Sequence, residues 1–124
     1  MKTVLVIDDD LYLQKLLGTH IASAGYNLLY ASDGEKAMEI LKSEQPDLIT
    51  LDMMMPILDG ISFLKWLRQE AASEIPVMVL TGVSNIEQSQ QLQQLGANDV
   101  ATKPIAPDEL LKRINNLLNK EQNA

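Results

Sequence analysis

Leu48-Ile49-Thr50-Leu51-Asp52-Met53-Met54-Met55-Pro56-Ile57-Leu58-Asp59-Gly60 is the stretch that decides how this chain folds. An apolar strand ends on a carboxylate, a loop punctuated by Pro56 and Gly60 follows, and Asp59 is placed to cap a new helix. Other segments end in the same manner. Val4-Leu5-Val6-Ile7 runs into Asp8-Asp9-Asp10, Val77-Met78-Val79-Leu80 into Thr81-Gly82, and Val100-Ala101-Thr102 into Lys103-Pro104. Carboxylates, a hydroxyl and an amine would then meet at one edge of one sheet.

Working outward, the spacing predicts five units of strand then helix. Strands are expected over Thr3–Ile7, Leu28–Ala31, Asp47–Leu51, Val77–Leu80 and Val100–Thr102. The first helix is capped by Asp10, carries an apolar stripe of Leu13, Leu16, Leu17 and Ile21, and ends near Gly25. Ser32 with Glu35 and Ser84 with Glu87 have capping-box spacing. Ala37, Ile40 and Leu41 face the second helix inward until Gln45-Pro46 stops it. Ile61, Leu64 and Leu67 mark the third helix, Ile86–Leu95 the fourth, and Pro107 opens the fifth, with Asn119–Ala124 as a polar tail. Near-continuous apolar strands alternating with one-sided helices imply a parallel sheet covered on both faces, a doubly wound three-layer α/β fold. Its ligand site belongs at the carboxyl ends of the strands, where the strand order reverses.

The 124 residues fit one domain able to bury a core without disulfides. There is no cysteine and a single histidine, His20, so thiolate and histidine-cluster metal sites are excluded. A net charge of −7 argues against direct nucleic-acid binding and against adhesion to an anionic membrane. No signal-peptide core or membrane-spanning run is present, so no membrane insertion and a cytoplasmic location are expected.

Crowded carboxylates repel one another and hold protons more tightly, a penalty that a divalent cation removes. Hard oxygen ligands at a strand edge suit Mg2+. Asp9 and Asp52 are expected as direct ligands, Asp8 as a more distant or water-mediated one, and a main-chain carbonyl near Met54 as a further oxygen. Asp10 reads more simply as a helix cap. Asp52 can be a metal ligand only, or also a nucleophile attacking phosphorus to form an acyl phosphate. The second role needs a positive group opposite the cation, for which Lys103 is the candidate, with the Thr81 hydroxyl and Gly82 amide as donors to a phosphoryl oxygen. A cis Lys103–Pro104 bond would aim the lysine inward, although most X–Pro bonds are trans.

Taken together and in this order, Val4–Asp10, Asp47–Pro56 with Asp59-Gly60, Pro76–Gly82, and Gly96–Asp99 with Lys103-Pro104 resemble the receiver domain of bacterial two-component response regulators. The resemblance covers Lys2 to Asn119 and implies a flavodoxin-like fold with strand order 2-1-3-4-5 and five helices. It makes residues 1–124 a single receiver domain with its core over 2–119. It further implies that Asp52 is the phosphoacceptor, supplied by a phosphohistidine on a sensor histidine kinase or histidine phosphotransfer protein. Asp8 and Asp9 are then the Mg2+-organising pair, Thr81 the switch hydroxyl and Lys103 the lysine that pairs with the phosphoryl group. The domain would catalyse its own phosphorylation and slow dephosphorylation, and signal through the fourth helix, fifth strand and fifth helix. An activation-dependent dimer is compatible with this, though no residue demands one.

The chain departs from that pattern at four positions. Val100 stands where an aromatic switch residue is usual, which puts the coupling of the Thr81 hydroxyl to a rotating ring in doubt. Met54 and Val83, which flank the path of attacking water in the family, are apolar, so slow self-hydrolysis is expected. Ala106 replaces a common capping residue. Two other functions compete. An aspartyl phosphohydrolase commonly has a proton-transfer group two residues after the nucleophile, where Met54 stands. A non-phosphorylated docking module typically loses part of the acidic pair, the acceptor or the lysine, and all are present. Trp66 and the glutamines at 88, 90, 91, 93 and 94 are read as partly covered surface and a solvated helix face. No output domain is evident, so the chain either acts alone through partners or is one receiver of a larger regulator or hybrid kinase.

Overall fold

Five strands pair in parallel in the order β2-β1-β3-β4-β5, with β1 Thr3–Ile7, β2 Asn27–Ala31, β3 Leu48–Asp52, β4 Val77–Thr81 and β5 Asp99–Thr102. The computed structural model describes residues 1–53, 59–82 and 85–122. The expected main-chain ligand at Met54, together with Val83 and Ser84, lies outside the described residues. The helices are α1 Leu11–Ser23, α2 Gly34–Ile40, α3 Gly60–Lys65, α4 Ile86–Gln94 and α5 Pro107–Gln122, and α3 runs on into a π-helical turn, Trp66–Glu70.

Alternation along each strand sorts the core into two layers. Leu5, Ile7, Ile49, Leu51, Val77 and Val79 pack with Ala37, Phe63, Leu64, Leu67 and Leu92 from α2, α3, the π turn and α4. Val4, Val6, Leu48, Met78 and Leu80 pack on the other face with Ile21, Leu110, Ile114 and Leu118 from α1 and α5. Both faces are covered, so the central strands are buried throughout. The chain steps from β1 outward to β2 and then returns past β1 to β3, so the order reverses between β1 and β3.

Several local expectations need correction. The buried face of α1 is Gln14, Gly18 and Ile21 with Leu17 partly covered, whereas Leu16 is 41% exposed. Positions 14, 17, 18 and 21 share one helical face, and the Tyr30 ring lies so close over Gly18 that a Cβ there would come within 2.8 Å of its Cε1. The N-caps of α2 and α4 are Asp33 and Asn85, whose side chains accept from Lys36 N and Gln88 N, not Ser32 and Ser84. A carboxylate or amide one residue later reaches the third amide of the helix at cap geometry. The Ser32 hydroxyl instead accepts from Lys36 Nζ at 3.0 Å. Helix α2 ends at Ile40, short of Pro46, and α5 continues through 119–122 where a tail was expected. Asp10 and Asp59 cap α1 and α3 as anticipated, and Gly25 takes a left-handed φ of 97° after α1.

Candidate active site

Strand register assembles the site. Ile7 pairs with Leu51, so Asp8, one residue on, stands beside Asp52 at the end of β3. Asp52 pairs with Leu80, Thr81 follows, and Thr81 pairs with Thr102, the residue before Lys103. Four adjacent parallel strands thereby deliver their terminal polar residues to one edge, at the reversal point.

Lys103 bridges the two buried carboxylates. Its Nζ donates to Asp52 Oδ1 at 3.0 Å and to Asp8 Oδ2 at 3.3 Å. Its main-chain N–H donates to Thr81 O at 2.7 Å, which holds the loop after β5 against β4. The Lys103–Pro104 peptide is cis. Asp8, Asp52 and Thr81 are buried and Asp9 is exposed. Asp8 is held on both oxygens, since Oδ1 accepts from Asp10 N at 2.9 Å. Asp9 is thus the exposed member of the acidic cluster, with Asp8 and Asp52 buried and tied to Lys103.

The electrostatics follow from this packing. Burial alone would lower the Lys103 ammonium. The hydrogen bond to Asp52 and the charges of Asp8 and Asp52 more than offset it, and its pKa lies above the usual lysine value. Partial burial pushes the Asp9 carboxyl up, and the hydrogen bond and like charge of Asp52 add to the shift, while Lys103 pulls it back. Asp8, Asp9 and Asp52 each offer an oxygen, and these oxygens lie within 4.8 Å of one another. Three hard oxygen donors that close, one of them carrying an unrelieved repulsion, fit a small divalent cation.

Of the expected residues, the structure brings Asp8, Asp9, Asp52 and Lys103 together, with Thr81 at the next strand end. Gly82 is exposed, with open space where a Cβ would stand. Val100 packs partly buried against the α2–α4 side of the core, and its carbonyl accepts from Arg113 at 3.4 Å. Trp66 is partly buried, its ring 5.8 Å from that of Phe63. Two features went unread in the sequence. Gln14 is a buried polar residue on α1 directed at the sheet edge. Arg68, in the π turn, donates to Gly96 O, Ser73 O and Asn98 Oδ1 and ties that turn to the approach to β5. For Gln14 a signal existed, since it falls on one helical face with Leu17, Gly18 and Ile21.

Comparison with known proteins agrees with this geometry. The response regulator receiver domain family matches residues 4–115. The receiver domain of the Francisella response regulator 1452 is similar in structure, with a TM-score of 0.92 and 35% identity over 98% of this chain and 99% of that one. Among curated proteins, the alkaline phosphatase synthesis transcriptional regulatory protein PhoP of Bacillus subtilis is 38% identical over 98% of this chain and 50% of its own length. The DNA-binding dual master transcriptional regulator RpaA of Synechocystis is 38% identical over 97% of this chain and 50% of its own length. This chain therefore spans about half the length of the curated relatives it matches. Among the described residues no helix is long and apolar enough to cross a membrane. With the strand order, the acidic edge and the family match in agreement, the chain belongs to the response regulator receiver domain family, whose members are phosphorylation-dependent signalling receivers.

Proposed function

We propose that this chain accepts a phosphoryl group on Asp52 from a phosphohistidine of a sensor histidine kinase or histidine phosphotransfer protein. The observation that carries the reading is the Lys103 bridge, 3.0 Å from Asp52 and 3.3 Å from Asp8, at the rim of a three-carboxylate cluster. An Asp52 oxygen attacks phosphorus, the P–O bond forms as the P–N bond breaks, and the imidazole leaves with a proton. Asp9 and Asp52 would hold Mg2+, with Asp8 as a more distant ligand, and the ion would supply charge neutralisation for the transferring oxygens. Lys103 neutralises the opposite side, and Thr81 and the Gly82 amide supply donors to a phosphoryl oxygen. Water later attacks the acyl phosphate and returns free aspartate and phosphate.

Residues 2–119 form one receiver domain in this reading, acting in the cytoplasm. The relatives described as transcriptional regulators support an output in transcription, reached through a protein partner or a fused segment rather than through direct nucleic-acid binding by this acidic chain. Intact mass after incubation with Mg2+ and acetyl phosphate tests the proposal. A gain of about 80 Da, one phosphoryl group, is expected in the wild type and not in Asp52→Ala. An adduct that persists in Asp52→Ala shows that another residue is the nucleophile. A folded protein with no adduct from any donor favours the docking-module reading.

A further inference from the structure

We infer that Gln14, a residue outside the acidic cluster, is a positioning residue for Mg2+ binding, acting through the main chain of Asp8. The inference rests on the proposed function above and assigns that site a support. Gln14 lies on the buried face of α1, 7% exposed. Its side-chain amide donates to Ala31 O at 3.2 Å and, at the longer distance of 3.4 Å, to Asp8 O. Ala31 O also accepts from Asp8 N at 3.1 Å, and Gln14 N donates to Asp10 O at 2.9 Å. One side chain thus spans the ends of β1 and β2, and the residue itself is hydrogen-bonded on both sides of Asp9.

The Asp8 carbonyl belongs to the peptide that leads into Asp9, so its orientation sets where the Asp9 carboxylate points. Asp8 N–H is held by β2 and Asp8 O by Gln14. Without the Gln14 donors, a buried carbonyl loses its partner and that peptide is free to turn. Asp9 is the exposed member of the cluster, and no hydrogen bond among the described residues ties its side chain to the main chain of a neighbouring element. Beyond its side-chain contact with Asp52, its placement therefore depends on the peptide before it. Groups that orient ligands in this way affect metal affinity even though they never touch the ion.

The test is Mg2+ affinity of the unphosphorylated protein by titration calorimetry, with Gln14→Met beside the wild type. Methionine keeps the shape and removes both donors. Roughly tenfold weaker Mg2+ binding is expected, in line with other groups that orient ligands. Ile21→Val, on the same buried face of α1, serves as a control for lost stability and is expected to keep wild-type affinity. Equal affinity in Gln14→Met and wild type overturns the inference, as does an equal loss in Ile21→Val. In the unsubstituted protein, the Gln14 side-chain amide resonances are expected to shift on Mg2+ addition, and their indifference at saturation overturns it independently. A wild type that binds no Mg2+ overturns the proposed function together with this inference, which separates the two failures.

Discussion

Gly60 lies against the backbone that carries Asp52: a Cβ built at Gly60 would stand 3.0 Å from Asp52 O and 3.0 Å from Met53 Cα. The atoms in the way are main chain, not the far end of a flexible side chain. Gly60 N also donates to Met53 O at 3.1 Å, which draws the start of α3 onto the end of β3. Gly60→Ala must therefore displace either the helix start or the peptide next to the acceptor. We predict a stability loss of about 1–3 kcal/mol, the usual cost of overpacking. Phosphorylation by acetyl phosphate is predicted to slow by roughly tenfold or more, since misplacing a reacting group by an ångström is costly. Denaturant unfolding and intact-mass time courses check the two effects. A wild-type phosphorylation rate in Gly60→Ala means the acceptor tolerates the shift.

Lys103→Met removes the cation shared by Asp8 and Asp52 while leaving both carboxylates buried. Metal-free stability is predicted to fall by about 2 kcal/mol, below the cost of breaking a fully buried pair because Lys103 is partly exposed. The variant should gain more stability from added Mg2+ than the wild type does. There is also a sign in pH. The folded pKa of Lys103 is raised above the usual 10.5, so its contribution is complete below that value and is lost as pH rises through the raised value. Lys103→Met should lack this alkaline loss in urea titrations across pH.

Asp9 gives a prediction of the same sign at acid pH. Its carboxyl titrates above the usual 3.8, so the folded state holds an extra proton between that value and the raised one. The associated stability is present at low pH and is lost as pH rises through the raised pKa. Asp9→Asn should remove this loss, and the metal-free variant should be more stable than the wild type at neutral pH. Mg2+ affinity of the wild type should rise over the same pH window, because the proton and the cation compete for one carboxylate. A flat Mg2+ affinity across that window would falsify the competition.

Thr50 sits in the middle of β3, fully covered, and its hydroxyl has no hydrogen-bond partner among the described residues. Burying an unsatisfied hydroxyl costs stability, and valine fills a similar volume without that cost. We predict that Thr50→Val stabilises the protein by about 1 kcal/mol and leaves the phosphorylation rate within twofold of wild type. A loss of stability on this substitution means the hydroxyl has found a partner.

Met54 and Val83 motivate a kinetic prediction from sequence, since both lie outside the described residues. The resemblance to receiver domains implies that these positions flank the path of attacking water, and apolar residue types there should slow hydrolysis of the acyl phosphate. The phosphoryl lifetime at Asp52, followed by mass after donor removal, is predicted to be minutes or longer. Decay within seconds contradicts it.

The sequence by itself determined the element order, the parallel sheet and the residue types at its carboxyl edge. Each of these is written in local pattern: apolar runs of strand length, helical spacing between them, and polar residues where each strand stops. Asp10 and Asp59 were legible as caps because a carboxylate before an apolar helical pattern has one common use. Ser32 and Ser84 misled because each is followed directly by another good cap residue, Asp33 and Asn85, and it is these whose side chains accept from the helix amides. The stripe on α1 was misplaced because Gln14 is polar, and burial of a polar side chain depends on partners supplied by Asp8 and Ala31, far apart in the chain. The Lys103 bridge belongs to the same class. An amine 51 residues from Asp52 and 95 from Asp8 meets both only because strand register brings their ends level. Residue identity states what chemistry is on hand, whereas distance, burial and shared partners arise between strands and helices, so the tertiary structure alone decided which groups touch.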